Sequence, residues 1–145
     1  MVYVMEGELR LYVMEREYHL KRGDICVINS NEEHRIETQG EITTAHLFIT
    51  YSLLRSVYNG VSSFFFCNST SEDDERYEKL RELLNQLLKR KMFCEKEAEE
   101  GQHEYEYLSV FYKVLGYLTS NFIKKGEDGC RHVNAAEISD ADIAD

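Results

Sequence analysis

Three histidines, His19, His34 and His46, stand in the first third of this 145-residue chain, and with Glu6 or Glu37 they could in principle converge around a cation. A protein metal site needs about three such ligands, and no fixed spacing ties these residues together, so the ligand rule weighs against a bound metal. The plainer reading of His34 is a corner residue hydrogen-bonded to backbone. Arg10 and Tyr12 offer different chemistry: a guanidinium for a carboxylate or sugar hydroxyl, and a ring that can stack on a ligand. That reading requires them to face inward, and an unpaired arginine is costly to bury. If Leu9 and Leu11 face inward instead, Arg10 and Tyr12 are surface residues. The chain has no Gly-x-Ser-x-Gly, no glycine-rich phosphate loop and no cysteine with a recognisable base. Its many carboxylates follow from composition and single out no pair.

The stretch Val2–Ile36 must position these groups. Apolar and polar residues alternate there in short runs, broken at Glu6-Gly7-Glu8 and at Lys21-Arg22-Gly23-Asp24. A period of two with closely spaced turns predicts a small antiparallel barrel or sandwich. Strands are expected at Val2–Glu6, Leu9–Met14, Glu17–Leu20, Ile25–Ile28, His34–Thr38 and Ile42–Tyr51. Met14-Glu15-Arg16-Glu17 closes a hairpin without the usual Asn-Gly. Proline is absent, which leaves Asn29, Asn31 and the glycines to turn the corners. Such a barrel has an interior in which a small molecule can sit. The candidates for contacting it are Tyr3, Met5, Arg10, Tyr12, His34, His46 and Phe48. Tyr3 and Met5 share one face of their strand and Val2 and Val4 the other.

Ser52–Ser71 reads as a connector containing Phe64-Phe65-Phe66-Cys67, a buried extended piece. Helical character begins at Ser71-Glu72-Asp73-Asp74, a hydroxyl cap with acids in the first turn. Tyr77, Leu80, Leu83, Leu84, Leu87 and Leu88 then repeat at helical spacing. Glu95–Gln102 is expected to be a charged loop. A second helical face, from Tyr105 through Leu108, Phe111, Leu115 and Leu118 to Phe122, stops at Gly126. Two such helices form an antiparallel pair. Tyr107, Val110, Val114 and Tyr117 widen the apolar arc of the second helix beyond one stripe, which suggests a homodimer through these helices. The expected division is 1–70 for the barrel, 71–126 for the helical hairpin and 127–145 for an acidic tail or linker, an α+β arrangement.

A net charge of −10 and a pI near 5.0 exclude a direct grip on nucleic acid, which depends on neutralising phosphates. Cys26, Cys67, Cys94 and Cys130 are isolated, with no Cys-x-x-Cys, which suits a reduced cytoplasm. Cys26 and Cys67 have apolar neighbours and are expected to be unreactive. No stretch is apolar for long enough to form a membrane helix.

VYVMEGELRLYV and EREYHLKRGDICVINSNEEHRIE resemble the N-terminal cupin-type sensor domain of AraC-family transcription regulators. FFFCNSTSEDDERYEKLRELLNQLLKR and YEYLSVFYKVLGYLTSNF resemble the helical hairpin that follows the barrel in that family. The resemblance covers roughly residues 1–125. It implies a cupin-like jelly-roll barrel that binds a small effector, sugar-like or a small organic acid. It further implies helices that dimerise, and contact with DNA only through a separate C-terminal helix-turn-helix domain. That domain is not legible in the sequence, and the first strands of the barrel are expected to lie before Val2. His34, eleven residues after Gly23, occupies the place of the second-motif histidine in cupin enzymes, with Asn29 and Asn31 where the usual corner has proline and glycine.

Three functions compete. The first is a non-enzymatic sensing and dimerisation domain without a cofactor. The second is a small cupin metalloenzyme, an isomerase or dioxygenase using His34. The third is a dimerising scaffold whose interior is filled by its own side chains.

Overall fold

A computed structural model describes residues 1–57, 65–96 and 102–123 of the chain. Six strands come first: β1 (Val2–Glu6), β2 (Glu8–Val13), β3 (Arg16–Lys21), β4 (Ile25–Cys26), β5 (His34–Thr38) and β6 (Thr43–His46). Three helices follow: α1 (Tyr51–Val57), α2 (Glu75–Lys96) and α3 (Gln102–Asn121). The strands make two antiparallel three-stranded sheets, ordered β4-β1-β6 and β3-β2-β5.

The alternation along β1 and β2 decides how these layers stack. Val2, Val4 and Cys26 of the first sheet pack against Leu9, Leu11, Val13 and Leu20 of the second, forming one apolar cluster. The other side of β1 sends Tyr3 towards the helices. There it joins Ile25, Leu80, Leu84, Leu87, Val114 and Leu118 in a second cluster. Sheet β4-β1-β6 is therefore a middle layer, covered by a sheet on one side and the α2–α3 pair on the other. This is an α+β fold with two sandwiched sheets. Among the described residues they do not close into a complete barrel.

Tight corners join the sheets. Gly7 takes φ +78° between β1 and β2, where a Cβ would lie 2.5 Å from the Glu41 carbonyl oxygen. In the β3–β4 corner, Lys21 N–H donates to Asp24 Oδ2 at 2.8 Å, and Gly23 N–H donates to the Val4 carbonyl at 2.8 Å. Ser69 fixes the same corner from below. Its Oγ accepts from Ile25 N–H and donates to Asp24 Oδ1, each at 2.9 Å. Asn29 and Asn31 turn the β4–β5 corner, Asn31 with φ 66°. Asn29 also exchanges hydrogen bonds with the Phe65 backbone, donating at 3.0 Å and accepting at 2.8 Å. The β2–β3 hairpin dispenses with Asn-Gly by holding Met14 at φ 54°.

Several expectations need correction. The last strand ends at His46, and Tyr51–Val57 is helix rather than strand and connector. Thr50 starts that helix, accepting at Oγ1 from Leu53 N–H at 3.3 Å. Helix α2 is capped by Asp74 and not by Ser71: Asp74 Oδ1 accepts from Arg76 N–H at 2.9 Å. The Arg76 guanidinium holds the Asp74 carboxyl below the usual carboxylate range. Helix α2 continues to Lys96, into the stretch expected to be loop. Of the aromatic run, Phe65 is buried and Phe66 is exposed. Phe64, residues 97–101, Gly126 and the 127–145 tail lie outside the described residues.

Helices α2 and α3 are antiparallel. Arg76, at the start of α2, donates to the carbonyl of Asn121 at the end of α3, while Arg90 pairs with Glu106 at the other end. No helix among the described residues is long and apolar enough to cross a membrane.

Candidate functional site

Residues directly opposed across an antiparallel pair share a face of the sheet. Val13 opposes both Arg16 and His34, so these two flank it on the interior face of sheet β3-β2-β5. Tyr18 and Ile36 flank Leu11 in the same way. On the other sheet, Val2 opposes Cys26 and His46, and Val4 opposes Thr44. His46 and Thr44 thus face the interior, while Ala45, Leu47 and Ile49 pack towards the helices. The same alternation carries Phe48 onto the interior side, where its ring stacks on His46 at 6.3 Å between centroids.

His34, Thr44, His46 and Phe48 lie along one flank of the sandwich, and Arg16 and Tyr18 lie on β3, at the other edge of their sheet. β5 and β6 are the edge strands of the two sheets and are joined by residues 39–42. β5 begins at His34 and β6 ends at His46, so both histidines lie at the end of the sandwich away from that connection. Phe48 is 82% exposed and His34, His46 and Arg16 are exposed, whereas the apolar cluster deeper between the sheets is closed. The result is a cleft with an apolar floor (Val2, Val13, Ile36), an aromatic wall (Phe48) and a polar rim. His46 Nε2 and Thr44 Oγ1 lie 3.1 Å apart in a hydrogen bond, and His34 Nδ1 is 3.3 Å from the Glu32 carbonyl oxygen. Backbone hydrogen bonding at the corner was the plainer reading of His34, and that contact is present.

Of the seven sequence candidates, His34, His46 and Phe48 lie at this end of the sandwich, His46 and Phe48 in contact with each other. Tyr3 and Met5 are on the far side of β1: Tyr3 is buried against the helices, donating from its hydroxyl to Asn85 Oδ1 at 3.1 Å, and Met5 packs on the same cluster. Arg10 and Tyr12 lie on the outer face of their sheet. Arg10 is 3.7 Å from Glu17, and the Tyr12 hydroxyl reaches Glu37 at 3.3 Å under the Arg35 guanidinium. Arg16, Tyr18 and Thr44 were not among the candidates. The register that places them inside depends on the turn geometry at Met14, which carries no familiar sequence signal.

His19 pairs with Glu8 at 3.1 Å on that outer face, opposite to His34. Among the described residues, no three His, Cys, Asp or Glu side chains are grouped so that they could hold a metal ion. Burial pushes the Cys26 and Cys67 thiols up to about 12.

The residues expected to dimerise divide differently. Val110 and Val114 are buried inside the chain, and Tyr107 and Tyr117 are half-buried on the same cluster. The large apolar side chains that α3 leaves exposed are Tyr105, Leu108 and Tyr112. A groove of about 710 Å³ runs between α2 and α3, lined by Lys89, Arg90, Tyr105, Glu106, Val110 and Lys113 among others. The Arg90–Glu106 ion pair lies in that lining.

No curated protein matches the chain. A family model described as the AraC-like ligand-binding domain matches residues 1–108, from β1 into α3. Its cupin-like fold agrees with the paired sheets and the helices that follow them, and the chain belongs to the AraC-like ligand-binding domain family.

Proposed function

We propose that this chain is the effector-sensing module of an AraC-type transcription regulator. It takes a small molecule into the cleft between β5 and β6 and passes the occupancy signal to helices that bring two copies together. DNA is then read by a domain outside this sequence, in the cytoplasm. The carrying observation is Phe48: a large ring on the interior side of a sheet, stacked on a histidine and left 82% exposed. A ring in that position gains from being covered, and a ligand would supply the cover. Residues 1–70 sense, 71–126 transmit and pair, and 127–145 are an acidic tail or linker.

The dimer contact would run along Tyr105, Leu108 and Tyr112, spaced three and four residues apart on one side of α3. Tyr107 and Tyr117 would support it from the flanks, with Val110 and Val114 holding α3 in place beneath.

A thermal-shift screen of sugars and small acids tests the sensing role. Ligand at one hundred times its dissociation constant adds about 2.7 kcal/mol to the folded state, enough for a rise of several degrees. A Phe48→Ala chain should lose that rise. If no compound in either class moves the midpoint of the parent chain, the sensing reading fails.

A further inference from the structure

We infer that the cleft is built for an organic anion, a small carboxylate on a flat apolar body, gripped by Arg16 between the two sheets. This rests on the sensing reading above and specifies its ligand. The argument begins with which charged groups face inward. Among the strand residues paired with Val2, Val4, Leu9, Leu11 and Val13, the polar ones are Arg16, Tyr18, His34, Thr38, Thr44 and His46, and none is Asp or Glu. That is unexpected by composition, since Asp and Glu outnumber Lys and Arg by 27 to 17.

The carboxylates of these strands are directed elsewhere. Glu8 and Glu17 lie on the outer face, paired with His19 and Arg10, and Glu37 lies there with Arg35. Glu6 opposes Thr43 at the other end of the sandwich. Glu32, at the corner before β5, is turned onto Asn29, accepting from its N–H at 2.7 Å. Arg16, by contrast, makes no hydrogen bond or ion pair among the described residues. It sits one strand away from Val13, as His34 does on the other side, so its backbone and that of His34 are about 10 Å apart. A carboxylate entering between them meets the Arg16 guanidinium fork and the His34 imidazole, with no like charge at these paired positions to repel it. A cation would meet no acceptor of opposite charge. Phe48 selects the remainder of the ligand, because an exposed ring favours a flat or apolar body over a polyol.

The experiment measures binding to the whole 145-residue chain by calorimetry and by imidazole proton resonances. The probes are benzoate and phenylacetate, their uncharged counterparts benzamide and phenylacetamide, and D-xylose as a neutral polyol. The acids are expected to bind at least about tenfold more tightly than the amides and to shift the His34 and His46 signals. Arg16→Gln should erase that preference and Arg16→Lys should restore part of it, with the unliganded melting midpoint of each variant confirming the fold. Equal binding of acids and amides, or binding of xylose alone with the same histidine shifts, overturns the anion inference and leaves the sensing role standing. Acids that bind without moving either histidine or responding to Arg16→Gln overturn it too. If none of the five probes binds, the anion inference also fails; the sensing role falls with it only if the broader thermal-shift screen is silent as well.

Discussion

Arg81 of α2 donates from Nε to the carbonyl oxygen of Gly23 at 2.7 Å, a bond between the helical layer and the β3–β4 corner. The same guanidinium pairs with Asp73 at 3.0 Å, so one side chain holds three segments in register. Arg81→Ala should lower stability by about 1–3 kcal/mol, because it removes a charged donor from a partly buried carbonyl. Lysine can carry the charge but cannot reproduce the planar fork, so Arg81→Lys should recover only part of the loss. Urea unfolding of the three chains measures this. A midpoint unchanged in Arg81→Ala would show that the contact contributes nothing.

Gly7 supports the opposite corner. Its φ of +78° already disfavours a side chain, and the Glu41 carbonyl oxygen would lie 2.5 Å from an added Cβ. Gly7→Ala should therefore destabilise the chain by about 1–3 kcal/mol, and more if β6 must shift to relieve the contact. Gly40 has a similar φ but open space around it, so Gly40→Ala should be milder. Thermal melts that rank the two variants the other way would contradict this account of the corner.

The buried thiols give the chain an alkaline weakness. Cys26 and Cys67 are raised from 9.0 to about 12, mainly by desolvation. Above pH 9 the unfolded chain releases these protons and the folded chain retains them. Their contribution is therefore complete below pH 9 and declines as the pH rises towards 12. In a Cys94→Ser, Cys130→Ser background, urea midpoints should fall between pH 9 and 10.5. Replacing Cys26 and Cys67 by alanine should lower the midpoint at pH 8 but flatten that slope. Under native conditions at pH 8, a thiol reagent should modify either cysteine only at the rate of unfolding.

On α3, Leu108 sits between two exposed tyrosines. Leu108→Glu should shift the chain from dimer to monomer in sedimentation at micromolar concentration without lowering the unfolding free energy of the monomer by more than about 0.5 kcal/mol, as expected of a surface position. Val114→Glu, at a fully buried site, should unfold the monomer instead. A parent chain that sediments as a monomer at every concentration would remove the dimer.

The two sheets were largely legible because alternation at Val2–Val4 and Leu9–Val13 leaves little freedom in which residues share a face. The inward direction was not legible. Both faces of β1 are apolar, since one meets a sheet and the other a helix pair, and hydropathy alone cannot rank two buried faces. Tyr3 and Met5, candidates by their shared face, pack towards the helices. Leu9 and Leu11 face inward, which sets Arg10 on the outer face. The helix at Tyr51–Val57 was missed because it is short and continues a β-like run, although Thr50 supplied a usable cap signal. Asp74 rather than Ser71 caps α2 because three acids and a hydroxyl compete there, and Asp74 gains both a backbone and a guanidinium donor from Arg76.

Strand β1 is a partition one residue thick. Val2 borders the compartment where a guest would rest, and the next side chain, Tyr3, holds Asn85 on the helical side. A small displacement of this strand cannot be confined to one compartment, because the same peptide units form both walls. News of an arrival would need no chain of intermediaries to reach α2, and its strength would depend on how stiffly a single five-residue segment resists being pushed.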